Sequence, residues 1–118
     1  MKKLSVLAVI LFFVAFSALA SAQTQSGQWS TSVGATGYNL HENTGQRAMT
    51  IEINFEKPYE VKPKVIISVT QLDADKGSNT RYNVEVLSVS RDGFTVKILT
   101  WSDSKIFGIS GYWLAYTE

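Results

Sequence analysis

Cysteine is absent from the 118 residues, histidine occurs once and proline twice. Without cysteine there is no disulfide, no thiolate metal ligand and no thiol nucleophile. One histidine, His41, is too little for an ordinary metal site; it stands in a Gly-rich loop, and no Gly-x-Ser-x-Gly elbow occurs. A glycoside hydrolase needs two carboxylates facing one another across a cleft. Asp73 with Asp75, or Asp92 with Asp103, could supply them, but a chain this small builds no deep cleft. No enzyme activity, metal or cofactor is therefore expected. The run from Asp73 to Asn79 has spaced carboxylates and Gly77, as a calcium loop does. The glycine stands one place early, however, and Val84 occupies the place of the bidentate glutamate, so a polar turn is the better reading.

An excess of charge of either sign is also missing. The chain has 11 basic and 10 acidic residues. Without Lys2 and Lys3 the basic count is 9, a formal charge of −1. A nucleic acid or an anionic membrane rewards a basic face, so neither is an expected partner. A neutral polar ligand fits better. The one long apolar run, residues 4–20, follows Lys2-Lys3 and ends in Ala20-Ser21-Ala22. This three-part pattern is that of an export signal cut before Gln23, giving a leader at 1–22 and one domain at 23–118. The run is slightly short for a membrane span, and no basic stop follows it. No cysteine follows the cut to take a lipid. The expected location is outside the cell, or the periplasm of a bacterium. A small exported domain without disulfides needs other support, and association with further copies is the expected device.

Beyond residue 22 helical periodicity is lacking and alternation takes its place. Met49, Ile51, Ile53 and Phe55 make one apolar stripe, and Val65, Ile67 and Val69 the next. Tyr82, Val84 and Val86 follow, then Phe94, Val96 and Ile98, then Phe107, Ile109, Gly111, Trp113 and Ala115. Period-two stripes put one face of a strand on a core. Pro58 and Pro63 bound a loop, residues 73–79 are polar, Arg91-Asp92-Gly93 reads as a hairpin turn with Gly93 free to take positive φ, and 102–105 join the last two strands. With a first strand near 28–33, the expected fold is an all-β sandwich of six antiparallel strands, with a long loop at 34–45. Trp29 and Trp113 are expected in its core.

Two residues suggest a ligand site. Arg81 carries a planar fork of donors that suits hydroxyl and acetamido oxygens. It also reads as a solvated arginine paired with Glu85 or Asp75. Trp101, twenty residues on, ends a strand and shares parity with Thr95 and Lys97 rather than with the core stripe. An outward indole can stack on a sugar ring or be covered by a neighbouring chain.

Five marks stand in a fixed order: Thr70-Gln71-Leu72-Asp73, Asn79-Thr80-Arg81, Asp92-Gly93-Phe94, Thr100-Trp101 and Trp113-Leu114-Ala115. Together they resemble the H-type lectin domain family, over residues 26–116 and most specifically 55–115. The Ser26-Gly27-Gln28-Trp29 start is of the same kind. The resemblance implies a secreted lectin assembled as a trimer, or as a hexamer of stacked trimers, with sugar sites between neighbouring chains. It implies galactose-type glycans as partners, terminal N-acetylgalactosamine first. Arg81 and Trp101 fall on the family's sugar-contacting arginine and tryptophan. Snail-type members have a histidine after that tryptophan and a tyrosine on the next strand, where this chain has Ser102 and Phe107. The family's acidic partner comes from the loop that is residues 41–45 here. An ungapped count lands on Thr44, and a small gap brings in Asn43 or Glu42, of which Asn43 is the expected contact. These departures motivate an alternative, a structural or adhesive module of the same fold with a degenerate sugar site.

Overall fold

The computed structural model describes residues 23–42 and 44–118; the expected leader at 1–22 and Asn43 lie outside the described residues. Seven strands run in order: β1 (Thr24–Ser32), β2 (Arg47–Asn54), β3 (Lys64–Ile67), β4 (Gln71–Ala74), β5 (Tyr82–Leu87), β6 (Gly93–Thr100) and β7 (Ile106–Tyr116). All pairings are antiparallel. In one sheet β7 lies between β1 on one side and β3 and β4 on the other; in the second the order is β2-β6-β5. The two layers face each other as a sandwich, as the alternation predicts.

The expected six strands become seven because one edge strand is interrupted. β3 runs Lys64–Ile67 against Tyr116–Trp113, and β4 runs Gln71–Ala74 on along the same strand from Ser110. Between them Ser68 and Thr70 still donate N–H bonds to Tyr112 and Ser110. Three residues, 68 to 70, thus oppose two on β7, which is a bulge. The stretch expected to open a polar loop at Asp73 is still strand as far as Ala74.

Two tryptophans hold this bulge and the neighbouring edge. Gly27 lies across from Trp113, and Trp29 across from Gly111. Each indole covers the glycine opposite, on the inward face. A Cβ at Gly27 would come within 2.7 Å of the Trp113 ring. A Cβ at Gly111 would overlap the Ser68 carbonyl oxygen. That same carbonyl accepts a hydrogen bond from the Trp29 Nε1–H at 3.2 Å. The Gly-x-Trp of β1 and the Gly-x-Trp of β7 therefore form a reciprocal pair, as an antiparallel register requires.

The core continues through Phe55, Phe94 and Trp113, whose ring centroids lie 5.5–5.8 Å apart. Tyr59 meets Phe55 edge-on at 5.0 Å, and its hydroxyl donates to the Ala115 carbonyl at 2.9 Å. This pins the 55–63 crossing between the sheets. In β6, Phe94, Val96, Ile98 and Thr100 point inward, as the stripe predicts. The turn before β6 differs from expectation. Its left-handed residue is Ser88 (φ 54°), not Gly93, where a Cβ would strike the Ile53 carbonyl.

The β7 stripe also departs from strict alternation. Pairing with β4 passes from Asp73↔Gly108 to Ala74↔Ile106, so Phe107 is the extra residue of a second bulge. The bulge re-phases the strand: Ile106 is buried and Phe107 is exposed, although Phe107 shares parity with buried Ile109.

Gly111→Ala is expected to destabilise the domain by about 2–4 kcal/mol, since a methyl in a filled space forces strand and bulge apart. Urea unfolding of the wild type and the variant measures this.

Candidate functional site

The ends of six strands meet at one rim of the sandwich. β2 begins there at Arg47 and β5 at Tyr82, both opposite Thr100 at the end of β6. β1 ends there beside Gly108, and β4 ends beside Ile106 at the start of β7. The 101–105 turn crosses this rim from one sheet to the other. Its Ser104 N–H closes on the Trp101 carbonyl at 3.4 Å, and Ser102 takes the left-handed conformation (φ 60°). A serine there gives up about 1–2 kcal/mol relative to an ordinary turn residue, so the surroundings must hold it.

What holds it is Arg47, which is only 5% exposed. Its guanidinium donates to the carbonyls of Ser102 (3.0 Å) and Ser104 (2.8 Å) on the turn. It also donates to Gly45 (2.7 Å) and, more weakly, Leu40 (3.4 Å) on the loop before β2. Among the described residues no carboxylate pairs with it. Four carbonyl dipoles do the work of a counter-ion, and one side chain ties the 40–45 loop to the 101–105 turn. Tyr38 adds a second tie, its buried hydroxyl donating to the Ile106 carbonyl. Burial, with a smaller contribution from the Asp73 charge, pushes that phenol up to about 12, so the donor persists across any working pH.

Arg81 is held by the same turn. Its main-chain N–H donates to the Ser104 hydroxyl (2.9 Å), which donates in turn to the Asn79 carbonyl (2.5 Å). The Thr100 hydroxyl donates to the Arg81 carbonyl at 2.6 Å. Ser104 and Thr100 are fully buried, so these bonds are shielded from water. The Arg81 side chain pairs with Asp103, not with Glu85 or Asp75. The hydrogen bond from Arg81 is the main reason that the Asp103 carboxyl is held below its usual range.

The predicted site residues divide into three groups. Arg81, Trp101 and Ser102 come together around one turn, with Trp101 39% exposed. Phe107 sits beyond the turn, turned outward by its bulge. Among the described residues neither Trp101 nor Phe107 joins an aromatic pair. Asn43 lies outside the described residues, while Glu42 and Thr44 on either side of it are exposed. Arg47, Thr100 and Ser104 were not among the candidates, and Asp103 was weighed only as half of a hydrolase's carboxylate pair. Two of them could have been found by parity: Arg47 continues the stripe of Met49, Ile51 and Ile53, and Thr100 that of Phe94, Val96 and Ile98. Among the described residues no three His, Asp or Glu side chains gather as metal ligands.

An outward tryptophan beside a fixed arginine–carboxylate pair, on the rim of an antiparallel sandwich, is an arrangement suited to a polar ring with one apolar face. Residues 50–116 match the H-type lectin domain, and the chain belongs to that family. Among curated proteins it is 30% identical over 91 residues to one of the discoidin-1 subunits of Dictyostelium discoideum, covering 72% of this chain and 36% of that one. It is 26% identical over 81 residues to ORF 7 of the ATP synthase subunits region of Fuscovulum blasticum, covering 69% and 70%. Discoidin II of Dictyostelium discoideum superposes with a TM-score of 0.71 at 20% identity, over 82% of this chain and 37% of that one. The chain thus spans little over a third of each discoidin, and the structural likeness is one of fold.

Arg47→Met is expected to cost about 3 kcal/mol, since it strips charged hydrogen bonds from several carbonyls at once. Chemical denaturation gives the loss. Hydrogen exchange should show residues 101–105 opening faster while the centre of β6 stays protected.

Proposed function

We propose that this chain is a secreted, non-catalytic lectin that captures terminal galactose-type sugars, N-acetylgalactosamine foremost, at the rim formed by Arg81, Trp101 and Ser102. The observation that carries the reading is Trp101, a large aromatic left outward within two residues of Asp103, which pairs with Arg81. A tryptophan on a rigid turn offers its face to the C–H side of a pyranose, while charged groups beside it bond the hydroxyls. Arg81 donates to hydroxyl and acetamido oxygens, and Trp101 and Phe107 provide apolar walls. Ser102 and Asn43 complete the polar contacts, Asn43 from the loop that Arg47 anchors. Membership of a lectin family supports the sugar class, and the sequence resemblance supports sites shared between copies in a trimer or in a hexamer of two trimers.

Association matters because a single shallow sugar site binds weakly, at roughly millimolar to micromolar Kd, or about −4 to −8 kcal/mol. Several rim sites facing a glycan-coated surface raise apparent affinity by ~10²–10⁴ through effective concentration. The near-neutral surface suits such a ligand, which needs no steering by charge.

A second reading, an adhesive module of the same fold without a working sugar site, draws on the Arg81–Asp103 pair, which already satisfies part of the guanidinium. A broad glycan array probed with residues 23–118 separates the two. Selective binding to galactose-type termini, lost in Arg81→Ala, is the expected outcome. A blank array from folded protein would overturn the lectin reading in favour of the adhesive one.

A further inference from the structure

We propose that Asp103 is the acidic sugar-contacting residue of this rim, supplied by the same chain as Arg81, and that it decides which hydroxyl pattern the site accepts. The inference rests on the reading of the rim as a sugar site. The resemblance places an acidic partner in the 41–45 loop, where an ungapped count finds Thr44 instead of a carboxylate. Asp103 stands where that function can be restored. It occupies the third position of the turn that begins at Trp101, so its carboxylate and the indole leave the same short loop. That loop is fixed from below by Arg47 through the carbonyls on either side of Asp103, those of Ser102 and Ser104. A contact group on so constrained a turn loses little freedom when a ligand arrives.

The chemistry of the pair is specific. One carboxylate oxygen, Oδ1, is held by the Arg81 guanidinium. The side chain nevertheless remains 47% exposed, against 33% for Arg81. An ionised carboxylate offers about four acceptor positions and no donor, and a guanidinium five donors and no acceptor. Set side by side, they match adjacent hydroxyls: one donates a hydrogen bond to Asp103 while its neighbour's oxygen accepts one from Arg81. Because Asp103 can only accept, it rejects a ring position whose hydroxyl is missing or methylated. Arg81 alone would tolerate an ether oxygen there. The ion pair is thus a reader of a vicinal diol, and the guanidinium's in-chain partner becomes part of the binding surface.

Calorimetric titration with methyl α-galactopyranoside and its monodeoxy analogues, against wild type and Asp103→Asn, tests this. Removal of one particular hydroxyl should weaken wild-type binding about tenfold or more, the range for a hydrogen bond to a charged group. The variant should bind the parent sugar correspondingly more weakly and lose nothing further on that same deoxygenation, while the other analogues behave alike in both proteins. Asp103→Ala carries the same expectation and stands in should the Asn variant fail to fold. Uniform weakening across all analogues would reduce Asp103 to a support for Arg81 and overturn the inference, as would unchanged binding. A wild type that binds no galactoside would overturn the galactose reading itself, and this inference with it.

Discussion

The guanidinium of Arg47 fixes the geometry on which the proposed sugar-binding rim depends. It lies at the start of β2, on the inward stripe, where a hydrocarbon would be the ordinary occupant. Instead a charge is buried and satisfied by carbonyl oxygens drawn from two segments far apart in sequence. Leaving such a charge without partners is costly, so the loop and the turn can only sit where their carbonyls converge on it. The left-handed Ser102, the closing of the turn at Ser104 and the anchoring of Arg81 through the Ser104 hydroxyl all follow from that placement. The site is rigid because its foundation is polar and buried, while its working surface is exposed.

The remainder of the sandwich supplies the frame in which Arg47 can act. The reciprocal packing of Trp29 over Gly111 and Trp113 over Gly27 sets the register of β1 against β7. The Ser68 carbonyl, folded over Gly111 and capped by the Trp29 indole, fixes the bulge between β3 and β4. The second bulge, at Phe107, restores an inward Ile106 and an outward aromatic ring at the rim. The 68–70 bulge beside β7 is therefore tied to a named contact, and the Phe107 bulge sets the phase in which β7 leaves the turn.

How much of this was legible in the sequence follows from the range of the interactions. The all-β class, the inward stripes of β6, the buried Trp29 and Trp113 and the outward Trp101 are consequences of period two, which is local. The interruption at 68–70 depends on how a neighbouring strand pairs, and no pattern within Val65-Ile66-Ile67-Ser68-Val69 marks it. The same holds for Phe107, whose parity with Ile109 points inward until a bulge intervenes. Arg81 stands out by its chemistry, but its partner Asp103 is distant in sequence and meets it only when the turn folds onto the 79–81 segment. Arg47 carries a readable sign, its parity with Met49, Ile51 and Ile53. A charged residue on a core stripe is easily taken for the strand's solvent end, though here it is the anchor.

The rim is thus one unit, in which a rigid polar foundation presents an indole and an ion pair where we propose that a sugar binds. The three tryptophans make that claim open to direct measurement, since Trp29 and Trp113 are buried and Trp101 is exposed. Each indole N–H gives its own resonance in a ¹⁵N-labelled sample. Titration with methyl N-acetyl-α-galactosaminide should move the Trp101 indole signal progressively, and the amides of 79–81 and 102–104 with it, while Trp29 and Trp113 stay in place. A titration in which the Trp101 signal and those amides remain still, whether or not signals elsewhere on the sandwich respond, would contradict the account.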